Sequence, residues 1–128
     1  MKKLSMTISP EQFAVCKLDP EQPIPESIKL SPFWSATRTS SELSVVVPEK
    51  HIPADADAKK NWRCMEIDDP IDIALSGILA SFAIPLAQAG VPIFILSTFK
   101  TSYLFVQNTD LAAAVKALSN YVELKLAE

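Results

Sequence analysis

Four hydroxyl side chains stand close together where two apolar runs of the sequence meet. The runs VPIFIL and YLFV are separated by STFKTS (residues 97–102), which also carries one aromatic ring and one amine. A tight hairpin needs only two connecting residues, and a solvated loop has little use for Phe99. Hydroxyl groups both donate and accept hydrogen bonds, so Ser97, Thr98 and Ser102 either bond within a hairpin or contact a small polar ligand. In the second case, Phe99 could cover the ligand's apolar stem.

Carboxylates and a glycine occupy the approach to the apolar segment before this hinge. Asp69 could hold a ligand's ammonium group, although Asp68-Asp69-Pro70 is also an ordinary turn. Asp72 can act as a helix N-cap or as a second amine-binding carboxylate. Gly77 has no Cβ, so a ligand or another backbone can approach the first turn of the helix, whose unpaired N–H groups attract a carboxylate. In the alternative interpretation, Gly77 only lets the helix and the sheet pack tightly.

Residue types that serve catalysis are sparse and poorly grouped. His51 is the only histidine and lies in a polar, proline-flanked stretch, where we expect it to be exposed. Cys64 falls on a predicted strand, which favours a small buried side chain over a nucleophile. With only two glycines, Gly77 and Gly90, the chain can form no glycine-rich phosphate loop. We therefore expect no enzyme activity, no catalytic residues, no metal site and no cofactor.

The composition predicts a globular cytoplasmic protein that does not bind nucleic acid. The chain has 128 residues, 48% of them hydrophobic, which suits one compact unit or two very small ones sharing a core. Its net charge is -3, and the lysine pairs at 2–3 and 59–60 are too few to follow a phosphate backbone. The two cysteines lie far apart and no apolar signal segment follows Met1, which favours a reduced, cytoplasmic location.

The uncharged stretch 73–99 is long enough to cross a bilayer. However, Pro85, Gln88, Gly90 and Pro92 interrupt it, and its second part is rich in β-forming residues. We therefore interpret the stretch as a buried helix, a turn and a buried strand, and we expect no membrane association.

The second half of the chain shows the pattern β-α-β-β-α-β. NWRCMEI predicts a strand, and IALSGILASFAIPLAQA has the apolar spacing of a helix that starts after Asp72 and stops at Gly90. IFILST and YLFVQ predict two strands, DLAAAVKAL a second helix capped by Asn108-Thr109, and YVELKL a final strand. This order predicts a ferredoxin-like α+β fold with an antiparallel sheet and two helices on one face.

The first half is more irregular, because it holds seven of the ten prolines. FAVCKL, FWSATRT and LSVVVP predict strands, the last two as a hairpin. The prolines leave room for one helical turn around Glu26–Lys29. We interpret the chain as two units, residues 1–60 and 61–128, of which the first is helix-poor and partly repeats the second.

Several motifs carry a resemblance to a known family. They are GILAS early in the predicted helix, PLAQAGVPIF across the following turn and STF at the strand end, with FAVCKLDP and FWSATRTSSELSVVVPE in the first half. These motifs resemble the ACT domain, a small regulatory module that binds amino acids. The likeness extends to short bacterial tandem-ACT proteins and to the ACT units of the CASTOR arginine sensors. It implies two tandem ferredoxin-like ACT-type units, the N-terminal one degenerate.

The resemblance implies ligand binding without chemistry, between the start of the first helix and the end of the next strand. By the family pattern, the backbone at Gly77 and Ile78 lies against a free amino acid, and Thr98 and Phe99 contact it. Ser102 stands where the arginine-sensing relatives have an acidic residue. A bound arginine or lysine would therefore lack a counter-charge.

Two hypotheses of function remain open at this point. The chain is either an amino-acid sensor that passes the binding event to a partner or to its own oligomer, or a structural pairing module with a decayed site. Ser102 in place of an acidic residue favours the second hypothesis mildly. Because small units of this kind bury little surface alone, we expect a homodimer in both cases.

Overall fold

The computed structural model describes residues 4–69 and 77–127, which form an α+β structure as predicted. The chain divides into a larger unit of residues 1–10 and 63–128 and a smaller unit of residues 11–62. Two long strands, β1 (Leu4–Leu18) and β4 (Asp57–Ile67), contribute residues to both units.

The remaining elements follow in chain order. They are α1 (Glu26–Lys29), β2 (Ser35–Arg38), β3 (Leu43–Pro48), α2 (Ile78–Gln88), β5 (Ile93–Ser97), β6 (Ser102–Gln107), α3 (Leu111–Leu118) and β7 (Val122–Leu126). Short 3-10 turns occur at Glu49–His51 and Asn108–Asp110. The second of these turns leads into α3, in place of the expected side-chain cap from Asn108-Thr109.

The larger unit has the predicted order of elements, in the form β4, α2, β5, β6, α3, β7. β5 and β6 form an antiparallel hairpin in which Ile93 pairs with Val106 and Ser97 pairs with Ser102. Alternation along the strands and helical spacing in α2 and α3 place apolar side chains in one shared core. The buried residues of this core are Met6, Ile8, Met65, Ile67, Phe82, Leu86, Val91, Leu104, Val106, Ala114, Leu118 and Val122.

Strand β1 lies between β4 and β7, which the sequence did not predict. The strand order in the larger unit is β7, β1, β4, β6, β5. β1 and β7 are parallel, and Leu4 pairs with Val122 and Ile8 with Leu126. The predicted antiparallel sheet therefore contains one parallel pair, β1 with β7. In the predicted fold, the last strand of the unit pairs antiparallel with the first. Here β1 lies between β4 and β7, so β7 pairs with β1 instead, and this last pair is parallel.

The observed units differ from the predicted ranges 1–60 and 61–128 mainly at residues 1–10. These residues lie in the larger unit, where β1 pairs with β7. That the first half of the chain is itself a degenerate unit of the same fold remains a prediction.

The C-terminal end of α2 is closed by a complete capping motif. Gly90 has a φ of 74°, a left-handed conformation that glycine adopts without steric cost. Val91 N donates to Leu86 O at 2.9 Å and Gly90 N donates to Ala87 O at 3.0 Å, the two bonds of a Schellman motif. Pro85 lies in the last turn of the helix.

The smaller unit is built from strands and one short helix. β2 and β3 form the predicted antiparallel hairpin, with Ser35 opposite Val46. β3 also pairs with β1, and Phe13 lies opposite Pro48. Its core contains Ala14, Cys16, Leu18, Ile28, Leu43, Val45 and Val47. Only Ile28 in this core comes from a helix, so the unit is helix-poor, as expected.

The helices in the described parts of the chain are too short or too polar to cross a membrane. The longest of them, α2, has 11 residues, whereas a membrane-spanning helix needs about 20. The described part of the uncharged stretch 73–99 contains α2, a turn and β5, as predicted.

Candidate functional site

The segment between β5 and β6 folds as a tight turn that Thr98 stabilises. Thr98 N donates to Thr101 O at 2.8 Å. The Thr98 hydroxyl accepts hydrogen bonds from Lys100 N at 3.3 Å and from Thr101 N at 3.2 Å. Threonine hydroxyls that bond to the backbone just ahead of them favour turns over continued strand. The Thr98 hydroxyl is therefore used within the turn, as the hairpin interpretation predicts.

Phe99 occupies the tip of this turn and is fully exposed, with a relative accessibility of 102%. Lys100 beside it is also exposed. At this exposure the Phe99 ring packs against no part of the described chain. A contact between Phe99 and a ligand would therefore form at the outer surface of the turn.

Thr101 attaches the turn to the end of β4. Thr101 is only 3% exposed, and its hydroxyl donates to Ile67 O at 2.9 Å, with Asp69 O 3.2 Å away. Buried hydroxyl groups need such partners, because an unpaired one costs free energy. The bond holds the turn beside Asp69, so two regions that the sequence predicted for the site lie together at one end of the sheet.

Ser97 and Ser102 form a pair of hydroxyls across the hairpin, with 2.8 Å between their Oγ atoms. Ser102 is fully buried, whereas Ser97 is exposed. Strand alternation places this pair in the same row as Ile95 and Leu104, which pack in the core beneath the helices. At the end of an apolar row, two hydroxyls thus stand where packing alone would favour aliphatic side chains.

Asp68 and Asp69 are adjacent in the chain but differ in their hydrogen bonds. The Asp68 carboxylate accepts from Ser5 Oγ at 2.8 Å and from Thr7 Oγ1 at 2.7 Å, and Lys125 Nζ lies 3.4 Å from it. Among the described residues, the Asp69 carboxylate accepts only one long bond, from Ser5 N at 3.4 Å. Asp69 therefore keeps more hydrogen-bonding capacity for a ligand's ammonium group than Asp68 does.

The contacts around Asp68 lower the pKa of its carboxyl group. Partial burial acts to raise the pKa, but the hydrogen bonds from Thr7, Ser5 and Lys125 and the charge of Lys125 outweigh it. The pKa therefore lies below the usual value of 3.8, and Asp68 is ionised at neutral pH. Its bonds join β1, β4 and β7, so its role is structural.

Gly77 precedes α2 in a left-handed conformation, with a φ of 89°. No atom of the described residues lies within 4 Å of the place where a Cβ would stand. Tight packing of helix on sheet therefore does not explain this glycine, and the positive φ does. Ser81 N donates to Gly77 O at 3.0 Å as the helix begins, and Ile78 packs partly buried against the core. Asp72 lies outside the described residues, so its role as a cap or a ligand contact stays a prediction.

The start of α2 lies at the same end of the sheet as the β5–β6 turn. α2 and β5 are joined by a short connection, 89–92, and pack against each other in one core. The helix of 11 residues and the strand of 5 residues both measure about 16 Å. Because α2 and β5 run in opposite directions along the sheet and have the same length, α2 begins at the end of the sheet where β5 ends.

The structure thus connects some of the predicted site residues and separates others. Asp69, Ser97, Thr98 and Ser102 lie in or beside the anchored turn, Gly77 and Ile78 begin α2, and Phe99 points outward. Ser5 and Thr101 also lie in this region and were not predicted from the sequence. Thr101 carried a signal, as a hydroxyl between two apolar strands. Ser5 carried none, since it reaches Asp69 only through the pairing of β1 in the larger unit.

Neither Cys64 nor His51, the two side chains considered for catalysis, is fully exposed. Cys64 is buried, as predicted, and burial, with the negative charge of Glu66, raises its pKa to about 12, so the thiol stays protonated at neutral pH. His51 is half-buried, not exposed as expected, because its Nδ1 donates to Ser27 O at 2.9 Å. Within the described ranges, no group of His, Cys, Asp and Glu side chains could hold a metal ion.

Two surface cavities lie away from the predicted site residues. One of about 460 Å³ in the larger unit is lined by Pro85, Gln88, Ala89, Ala113, Lys116, Ala117, Asn120 and Tyr121. The other, of about 480 Å³ in the smaller unit, is lined by Lys17, Leu18, Asp19, Pro20, Gln22, Ser41, Asp55 and Asp57. The anchored turn and the start of α2 contribute to neither cavity.

Known structures with similar folds include regulatory proteins. A protein of Agobacterium tumefaciens is 29% identical and superposes over 100% of this chain and 96% of its own, with a TM-score of 0.89. A Vibrio cholerae protein of unknown function, described as a possible transport protein, is 17% identical over 94% of this chain and 91% of its own, with a TM-score of 0.76. The regulatory subunit of aspartate kinase from Thermus flavus is 10% identical over 94% of this chain and 99% of its own, with a TM-score of 0.70.

Comparison with descriptions of protein families assigns the chain to a family by its sequence. No curated protein matches this chain in sequence. A family description of an N-terminal domain matches residues 11–55. The description of the ACT domain matches residues 57–120, which is half of the chain. The chain therefore belongs to the ACT domain family.

Proposed function

We propose that this chain is a non-catalytic regulatory protein that binds a free amino acid at the anchored end of the larger unit's sheet. The binding residues in this proposal are Asp69, Asp72, Gly77, Ile78, Ser97, Thr98, Phe99 and Ser102. The observation that carries the proposal is the bond from the Thr101 hydroxyl to Ile67 O, which holds the β5–β6 turn beside Asp69. ACT family membership supports a regulatory role, as does the fold shared with a protein named as a regulatory subunit.

Each part of a free amino acid has a matching group in this proposal. Its carboxylate accepts from the first-turn N–H groups that follow Gly77, where the helix dipole also favours negative charge. Its ammonium group donates to the Asp69 carboxylate, a charge-assisted hydrogen bond. Its side chain faces the hydroxyls of Ser97 and Ser102. Asp72 supports the helix start or the ammonium.

Ligand binding is tested by thermal denaturation of protein that has been unfolded, stripped of small molecules and refolded. We expect at least one L-amino acid at millimolar concentration to raise the melting temperature, because a ligand that binds only the folded state stabilises it. At a concentration 100 times Kd this stabilisation is about 2.7 kcal/mol. The D-enantiomer at the same concentration is the matched control and should give no shift. If none of the proteinogenic amino acids shifts the transition, the proposal is wrong.

A cytoplasmic homodimer that signals to a partner protein or through its own assembly is part of the same proposal. A unit of this size buries little surface alone, and an apolar strand, β5, lies at the end of the strand order. Light scattering should give twice the 14.0 kDa mass of the chain. A monomer that persists on concentration would contradict the dimer and leave the ligand proposal to the thermal test.

One observation favours the alternative, a structural pairing module with a decayed site. Phe99 is fully exposed on a well-bonded turn, as expected of a residue that another surface covers. In this alternative, Phe99→Ser weakens self-association and no amino acid changes the melting temperature. In the sensor proposal, Phe99→Ser weakens amino-acid binding instead.

A further inference from the structure

The Ser97–Ser102 pair holds one more hydrogen-bond donor than it uses. One hydroxyl proton lies between the two oxygens, which are 2.8 Å apart. Ser102 is fully buried, and among the described residues Ser97 is the only acceptor for its proton. If Ser97 donated instead, the Ser102 proton would be buried without a partner, which is costly. Ser102 therefore donates to Ser97, and the exposed Ser97 hydroxyl keeps its own proton for an external acceptor.

Among the described residues, charge is scarce around this pair. The turn contributes only one ionised side chain, Lys100, which is exposed at its tip. Asp69 lies next to the turn, since its backbone oxygen is 3.2 Å from the Thr101 hydroxyl. In the proposed function, Asp69 binds the ammonium group common to all amino acids. Among the described site residues, no second carboxylate is then available to neutralise a cationic side chain, and no buried cation neutralises an anionic one.

We infer that this site selects free amino acids with an uncharged polar side chain, and that Ser97 is the residue that determines this specificity. The inference rests on the proposed function. A carboxamide is the best match, because its oxygen accepts the unused Ser97 proton and its NH₂ group donates to a hydroxyl oxygen. A charged side chain would lose water without gaining an opposite charge. An aliphatic side chain would leave the Ser97 proton without a partner.

The inference is tested by calorimetric titration with L-asparagine, L-glutamine, L-aspartate, L-leucine and L-arginine. We expect one of the two carboxamides to bind most tightly. Ser97→Ala should weaken its binding by about three- to tenfold, the effect of one neutral hydrogen bond, and should change leucine binding less than twofold. Ser97→Thr keeps a hydroxyl and should retain carboxamide binding. Ser40→Ala, at an exposed position of the smaller unit, is the matched control and should bind like the wild type.

The outcomes separate this inference from the proposed function. If a charged or aliphatic amino acid binds most tightly, or if Ser97→Ala leaves carboxamide affinity unchanged, the specificity is wrong while the amino-acid sensor stands. If none of the five amino acids binds and the full thermal screen is also negative, both are wrong.

Discussion

The two ends of helix α2 resemble each other in one feature and differ in the rest. A glycine with positive φ stands at each end, Gly77 at 89° and Gly90 at 74°, and a Cβ at either would meet no described atom within 4 Å. At the C-terminal end, Val91 N and Gly90 N satisfy the last carbonyl groups, and Val91 is buried. At the N-terminal end, the described residues provide no side-chain cap.

In the proposed function, this difference separates a structural end of α2 from the end that binds the ligand. The C-terminal end is closed by the chain itself, because Gly90 N and Val91 N pair with carbonyl groups of the last turn and Leu86 and Val91 are buried. The N-terminal end instead lies at the end of the sheet that carries Asp69, Ser97 and the Thr101 anchor. Polar groups with spare hydrogen-bonding capacity are expected where a ligand binds, since a ligand can complete them.

Loss of the Thr101 anchor should have the largest effect on stability and on amino-acid binding. Thr101→Val keeps the shape of the side chain but leaves the Ile67 carbonyl, now facing a methyl group, without its partner. We expect a loss of about 1–3 kcal/mol in the free energy of unfolding, measured by urea denaturation, together with weaker amino-acid binding.

Thr109→Val is the matched control, because Thr109 is exposed in the turn before α3. It should leave both stability and binding unchanged. Equal stability of the Thr101 and Thr109 variants would show that the anchor does not hold the turn.

The two glycines allow a matched test of the ends themselves. Gly77→Ala and Gly90→Ala each place a side chain at positive φ with space around it, so each should cost about 1–2 kcal/mol of stability. Only Gly77→Ala should also weaken amino-acid binding, because it alone alters the first turn that receives the carboxylate. If both variants bind equally well, the N-terminal end is not the ligand site.

The smallest expected effect concerns Asp68, the structural neighbour of Asp69. Because its pKa is lowered in the folded state, its contribution to stability is present above the usual value of 3.8 and is lost as the pH falls through the folded-state pKa. Asp68→Asn should cost less than about 1 kcal/mol at pH 7, since the pair with Lys125 is partly exposed and the amide oxygen still accepts a hydrogen bond.

The difference in stability between wild type and Asp68→Asn should therefore shrink as the pH is lowered below 3.8, as followed by thermal denaturation. Amino-acid binding at pH 7 should be unaffected. If the difference in stability instead grows in acid, the folded protein stabilises the protonated form of the Asp68 carboxyl group, and the lowered pKa is wrong.

The sequence predicted local elements well and long-range pairing poorly. The end of α2 was predictable because Gly90 and Pro92 act within a few residues of it, and the β5–β6 hairpin followed from two apolar runs around a polar turn. The position of β1 between β4 and β7 was not predictable, since strand pairing over this separation leaves no periodic signal in one sequence. Asp69 was predictable as a candidate from its place before the helix. Its contact with Ser5 was not, because that contact depends on the same long-range pairing.

The most direct test of the account is a two-dimensional amide NMR titration with the amino acid that stabilises the protein most. Binding at the proposed site should give saturable shifts of the signals of Asp69, Gly77, Ile78 and residues 97–102. Signals that line the cavity between α2 and α3, such as those of Gln88 and Ala113, should stay in place. Shifts confined to that cavity would contradict the account, and so would the absence of any shift at the start of α2 and at the β5–β6 turn.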